Sequence, residues 1–309
     1  MKLQSAQAEM RSFIGRHHHK TFDWRAFTVN DGYPQLARAQ MRYVGAGGSP
    51  KSDDPDTLKA EHFTVSLVSQ PVGKYASSHM HEVDESFLVL GGVLSIVWLW
   101  GDEAIEARLG RKDLCLNMRN RVHGFKNEGL EPVLASISVG SGQPLPPAFS
   151  VHPRDGDPEL AARFGAAPGK TCDFDPESDD PRHRELARHL VHYSQQPVIR
   201  MPGFSKKVYV GDGGAPAGTY RMDLVHLAPG EGIRFYERDV EDTYLVIDGV
   251  VTVGWEVGGH VVEQRLGMHD LIFNPAGRPH YFRNDGCENA QFMMTVGDAA
   301  PERVEFLAA

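Results

Sequence analysis

GKYASSHMHEVDESFLVLGG, residues 73–92, places two histidines one residue apart, a glutamate four residues on, and glycines at both ends. Alternate residues of a strand share a face, so His79 and His81 project side by side. Past a bend, Glu85 brings a carboxylate to the same point. Two imidazoles and a carboxylate at one point make a site for a borderline divalent metal. The plain alternative is a strand with solvated surface histidines and no ion.

The spacing Gly-x5-His-x-His-x3-Glu-x6-Gly resembles the first motif of the cupin family, matched here by Gly73, His79, His81, Glu85 and Gly92. A second cupin motif supplies one more histidine. It resembles KDLCLNMRNRVHGFKN (residues 112–127), with His123 at the ligand position and Asn127 at the closing asparagine. Lys112, Met118 and Asn120 stand where the family usually has Gly, Pro and Gly, so a turn of different shape is expected before His123. The resemblance implies a metal held by His79, His81, Glu85 and His123.

Working outward, the 309-residue length suggests two domains. At 41% hydrophobic the chain can bury a core. No apolar run approaches the length of a membrane-spanning helix. The N-terminus lacks the apolar segment of a signal peptide. Cys115, Cys172 and Cys287 are odd in number and far apart, which argues for reduced thiols and a cytoplasmic setting. The net charge is −9 and Lys and Arg form no long runs, so neither nucleic acid nor membrane is expected as a partner. A homodimer is compatible with all of this.

Short apolar and β-branched runs, Phe63–Val68, Phe87–Leu90, Val93–Trp100 and Val133–Val139, are punctuated by Gly and Asp, the pattern of a sandwich or barrel. Gly91-Gly92 reads as a hairpin turn. Trp98 and Trp100 share a face and read as core or interface packing. Ala6–Ile14 suits a short helix, and His17, His18 and His19, being consecutive, cannot all face one way. The polar stretch 47–59 reads as a solvated loop. Residues 143–200 open on a Pro-rich segment. Helices are expected after Asp157-Pro158 and after Asp180-Pro181, each with Asp at the N-cap and Pro at the first helical position. Leu186, Leu190 and Tyr193 fall on one stripe of the second.

The C-terminal half repeats the first. YVGAGG (Tyr43–Gly48) recurs as YVGDGG (Tyr209–Gly214), and DESFLVLGGV (Asp84–Val93) as EDTYLVIDGV (Glu241–Val250). Gly92 to Gly249 and His123 to His280 are both shifts of 157 residues. Pro275, Gly277, His280 and Asn284 fit the second motif better than the first copy does. The ligand set is lost, however: Tyr236 replaces His79, Arg238 replaces His81, and Asp242 replaces Glu85. Tyr236, Arg238, Asp242 and His280 are therefore a degenerate second site, which an Arg238–Asp242 ion pair would fill. A small anion held there is the sharper alternative.

The expected fold is all-β: two tandem cupin (jelly-roll) barrels with a short helical linker. The N-terminal metal barrel spans 1–142, the linker 143–200 and the degenerate barrel 201–309. Three imidazoles and a carboxylate leave two open positions on an octahedral ion. One divalent transition metal per chain is expected, Fe(II) first, with Mn, Ni, Co or Zn as alternatives. Among metal-bearing bicupins the set resembles that of dioxygenases. The resemblance thus implies a non-haem iron dioxygenase that joins O2 to a small phenolic or organic-acid substrate. The alternatives are a non-catalytic, pirin-like sensor and a metal-dependent isomerase or decarboxylase. Substrate-binding candidates are Tyr75 and Ser77, by strand parity with His79 and His81, Phe125, by parity with His123, and the cations Arg119 and Arg121.

Overall fold

Strands such as Leu94–Trp100 and Glu85–Gly91 carry apolar or small residues at almost every position and are buried nearly throughout. Strands of that kind need a second sheet to cover them. The computed structural model describes residues 2–46, 49, 57–101, 103–150, 170–297 and 304–306. They form two compact units, each a pair of sheets packed as a jelly roll.

The first unit comprises residues 22–195 and 214–217. One of its sheets has the order Leu190–Val191, Leu114–Asn117, Glu85–Gly91, Val133–Val139, Thr64–Gln70, Ala39–Val44. The other has the order Ala148–Phe149, Tyr75–Met80, His123–Lys126, Leu94–Trp100, Glu103–Leu109, Lys170–Asp173. Between them lie Phe87, Val89, Ile96, Trp98, Phe125 and Ile137. Trp98 is fully buried, and its indole N–H donates to Asn117 Oδ1 (2.9 Å), which satisfies its polar atom inside the core. Gly91-Gly92 is not a hairpin turn. The strands on either side belong to different sheets, and the chain turns a corner at Gly92, where φ is +74° and a Cβ would lie 2.8 Å from the Pro132 carbonyl oxygen.

The second unit comprises residues 1–21, 196–213 and 218–309. Its larger sheet runs Ile14–Gly15, Leu271–Asn274, Asp242–Asp248, Ala290–Gly297, Tyr220–Leu227, Phe204–Val210, Ile199–Met201. Its smaller sheet runs His260–Leu266, Val251–Val257, His280–Arg283, Tyr236–Arg238, Val304–Phe306. The duplication extends to irregularities. Bulges fall at Tyr43 and at its counterpart Tyr209, and again at Leu90 and Ile247. Trp255 donates to Asn274 (2.7 Å) as Trp98 does to Asn117.

This division differs from the expected boundaries. The helix Leu3–Ser12 and the strand Ile14–Gly15 belong to the second unit, because Ala6 and Met10 are buried among its core residues and Ile14 pairs with Ile272. The described part of 143–195 adds edge strands to the first unit instead of forming a separate linker. The helix Pro181–Ala187 starts as expected, with Asp180 accepting from the Arg182 N–H (2.8 Å). It stops before Leu190, which pairs with Cys115 in a strand, so Leu186 and Leu190 share the core without sharing a helix. The helix expected after Asp157-Pro158, and most of the 47–59 loop, lie outside the described residues. Among the described residues no helix is long and apolar enough to cross a membrane. The three cysteines are unpaired.

Candidate metal centre

His79 and His123 sit opposite one another on neighbouring strands of one sheet, and Glu85 begins a strand of the facing sheet. His81 follows the end of the first strand, where its carbonyl accepts from the Asn120 N–H (2.7 Å). The four residues are 1–5% exposed. Each offers one ligand atom, and these atoms lie within 4.8 Å of one another. The turn before His123 keeps its shape despite the unusual residues. Asn120 has φ +58° where Gly277 has +67°, and Asn is among the residues that tolerate this conformation.

Backbone carbonyls orient two of the rings. His79 Nδ1–H donates to the Ser77 carbonyl (2.8 Å) and His123 Nδ1–H to that of Arg121 (2.9 Å). Both Nε2 lone pairs are thereby left for the centre. His123 Nε2 is 3.0 Å and His81 Nε2 3.6 Å from the same Glu85 oxygen. Two lone-pair-bearing atoms at 3.0 Å need a positive charge between them, so the donor set fits a divalent transition metal. Burial and the neighbouring imidazoles push the His79 pKa well below its ordinary value, which keeps the ring neutral and able to ligate. Burial alone would raise the Glu85 pKa, but His81 and His123 outweigh it and hold the carboxylate ionised.

The lining of the small cavity above this cluster corrects the expected substrate contacts. Phe125 lines it, but Tyr75, Ser77, Arg119 and Arg121 do not. A register shift between Ala76 and His79 inserts one residue into the strand, so parity breaks. Ala76, opposite Phe125, shares the inner face, while Tyr75 lies opposite Lys126. Arg119 is exposed, and Arg121 faces Glu185 (3.6 Å) and stacks on Trp100 (4.4 Å). The cation that does line the cavity is Arg38. It is 7% exposed, and its Nε and Nη1 have no hydrogen-bond partner. Its guanidinium sits 4.1 Å from the Phe27 ring centroid and 5.2 Å from that of Phe125. Burial lowers its pKa to about 10, with Glu85 acting in the opposite sense, so it stays charged at neutral pH. The available signal was the run R-A-Q-M-R: Arg38 immediately precedes the strand Ala39–Val44, and Arg38, Gln40 and Arg42 are all buried.

The second copy balances its charge from within. Asp242, fully buried, accepts from Arg238 Nε (2.9 Å) and from Asn274 Nδ2 (2.6 Å). His280 Nδ1–H donates to the Arg278 carbonyl (2.6 Å), and its Nε2 lies 3.2 Å from Asp242. Arg238 thus supplies the positive charge that a metal would bring. The Tyr236 and Tyr244 hydroxyls hydrogen-bond each other, and burial raises both pKa values, so neither is available as a phenolate.

A family model described as "Cupin domain" matches residues 223–296, in the barrel that keeps the second motif but not the ligands. Among solved structures, an oxalate decarboxylase from Lactobacillus farciminis, in a formate complex, superposes with a TM-score of 0.67 at 10% identity, over 96% of this chain and 88% of that one. An oxalate decarboxylase from Bacillus subtilis, in a study of its Mn(II) centres, gives 0.65 at 15% identity, over 96% and 79%. The chain has the two-barrel cupin fold. No curated protein matches it. At these identities the likeness carries the fold of the bicupin alone. The metal centre therefore rests on the chain's own residues.

Proposed function

We propose that this bicupin is a metal-dependent enzyme that decarboxylates a small organic acid in its N-terminal barrel. The observation that carries the reading is Arg38, a buried guanidinium with two unpartnered nitrogens in the cavity formed over His79, His81 and Glu85. A buried cation with free donors is costly unless something anionic meets it. A planar guanidinium suits a carboxylate, which it can bind through two parallel N–H···O bonds. The cavity measures about 20 Å³, roughly the space of one water, which favours a substrate of few atoms. The two fold neighbours being oxalate decarboxylases, one with Mn(II), further supports decarboxylation and makes Mn(II) an alternative to Fe(II).

His79, His81, Glu85 and His123 would hold a divalent ion, which supplies Lewis acidity and adjacent open positions for substrate oxygens. Arg38 binds the carboxylate and sets its orientation. Phe27, Phe87, Phe125 and Val68 keep bulk water away, which strengthens the Arg38–carboxylate attraction. The open positions also suit O2, so the dioxygenase expectation stands as the second reading.

Protein loaded with Mn(II) or Fe(II) is assayed for CO2 release and O2 uptake on oxalate, malonate and pyruvate. CO2 release without stoichiometric O2 consumption is expected. One O2 consumed per product would move the reading to a dioxygenase. A rise in melting temperature with no product would move it to a sensor.

A further inference from the structure

The barrel that lost its metal ligands holds the larger cavity, about 890 Å³. That lies in the range of pockets that enclose ordinary small molecules, about 300–1,000 Å³. Its walls are apolar, with Phe204, Phe282, Phe306, Ile233, Met294 and Val296 among them. Set into these walls are four cations, Lys206, Arg221, Arg234 and Arg238, against one carboxylate, Asp223. Lys206 pairs with Asp223 (2.7 Å), and Arg238 is matched from behind by Asp242 (2.9 Å). Beyond these two pairs, Arg234 adds a further cation to the lining. The chain as a whole carries a net charge of −9, so this concentration of cations runs against the sign of the whole chain.

We infer that the C-terminal barrel is a metal-independent binding site for a hydrophobic carboxylate. The apolar walls take an aromatic or alkyl body, and the arginines take its carboxylate. Arg238, backed by Asp242, places a guanidinium where the other barrel would hold an ion, with its Nη2 3.4 Å from Met294 Sδ and its centre 5.3 Å from the Tyr236 ring. Arg234, exposed and 5.4 Å from the Phe306 ring, puts a second cation at the mouth. The occupant differs from the proposed substrate of the other barrel, whose cavity is too small for such a body. The inference does not depend on that substrate.

The test is calorimetric titration of metal-stripped full-length protein with 2-naphthoate, decanoate and the neutral 2-naphthamide. At least one acid should bind at one per chain, and 2-naphthamide at least tenfold more weakly than 2-naphthoate. Arg234→Gln, at an exposed position, should weaken the acid at least fivefold without lowering the melting temperature, and Lys206→Gln, which also leaves Asp223 to repel it, should weaken it at least fivefold. Arg38→Gln should leave its affinity unchanged. Binding of neither acid, equal binding of acid and amide, indifference to both C-terminal substitutions, or loss of binding only in Arg38→Gln would each overturn the inference.

Discussion

At the scale of single residues, the two copies solve one electrostatic problem in two ways. A histidine lone pair faces a buried carboxylate in each, and the balancing charge is either an ion or Arg238. His81→Ala removes one of four donors, so metal content by elemental analysis should fall to a small fraction of the wild-type value. Full retention would refute the ligand set. Arg38→Gln removes charge without touching a ligand. It should leave metal content unchanged and raise KM for the acid about ten- to hundredfold, the worth of a charge-assisted hydrogen bond of about 1.5–3 kcal/mol. In the second copy, Asp242→Asn strands the Arg238 cation, and removing one partner of a buried pair costs about 3–5 kcal/mol. Burial alone would raise the Asp242 pKa, but His280 and Arg238 bring it below the ordinary carboxylate value of about 3.8. A depressed folded pKa gives stability that is present above the unfolded value and lost as pH falls through the folded one. The wild-type protein should therefore lose melting temperature below about pH 4 more steeply than Asp242→Asn.

At the scale of elements, the motif and the repeat were legible because spacing survives in a sequence. The ligands needed only alternation and a bend, and the duplication showed as equal shifts. What the sequence did not reveal was the extra residue between Ala76 and His79, because a bulge leaves no fixed residue pattern at Ser77-Ser78. That extra residue took Tyr75 off the cavity. Arg38 was missed for another reason: it lies outside both motifs, and only tertiary pairing brings its strand beside them. The corner at Gly92 has an equal in Gly249, where φ is +72° and a Cβ would come 2.5 Å from the Asn289 carbonyl oxygen. Gly249→Ala therefore meets backbone that cannot move aside. It should cost more than the roughly 1 kcal/mol of an ordinary glycine replacement, read from denaturant unfolding.

At the scale of the whole molecule, metal stoichiometry measures whether the copies divide the work. One ion per chain is expected. His123→Ala should lose it and His280→Ala should keep it, and equal loss in both, or two ions per chain, would overturn the asymmetry. The chain path adds a second consequence. Helix Leu3–Ser12 with strand Ile14–Gly15 completes the sheet edge at Leu271–Asn274, and helix Pro181–Ala187 with strand Leu190–Val191 does the same at Leu114–Asn117. Each helix–strand arm thus precedes one barrel in sequence and belongs to the other. During synthesis the later arm finds its barrel already made. The earlier arm must wait, with Met10, Phe13 and Ile14 uncovered, until the strand at Leu271 emerges. A nascent chain stalled before that strand should show residues 3–15 open to protease, and release of the full chain should close them. Completion of the second barrel is in this way the event that shelters the earlier arm.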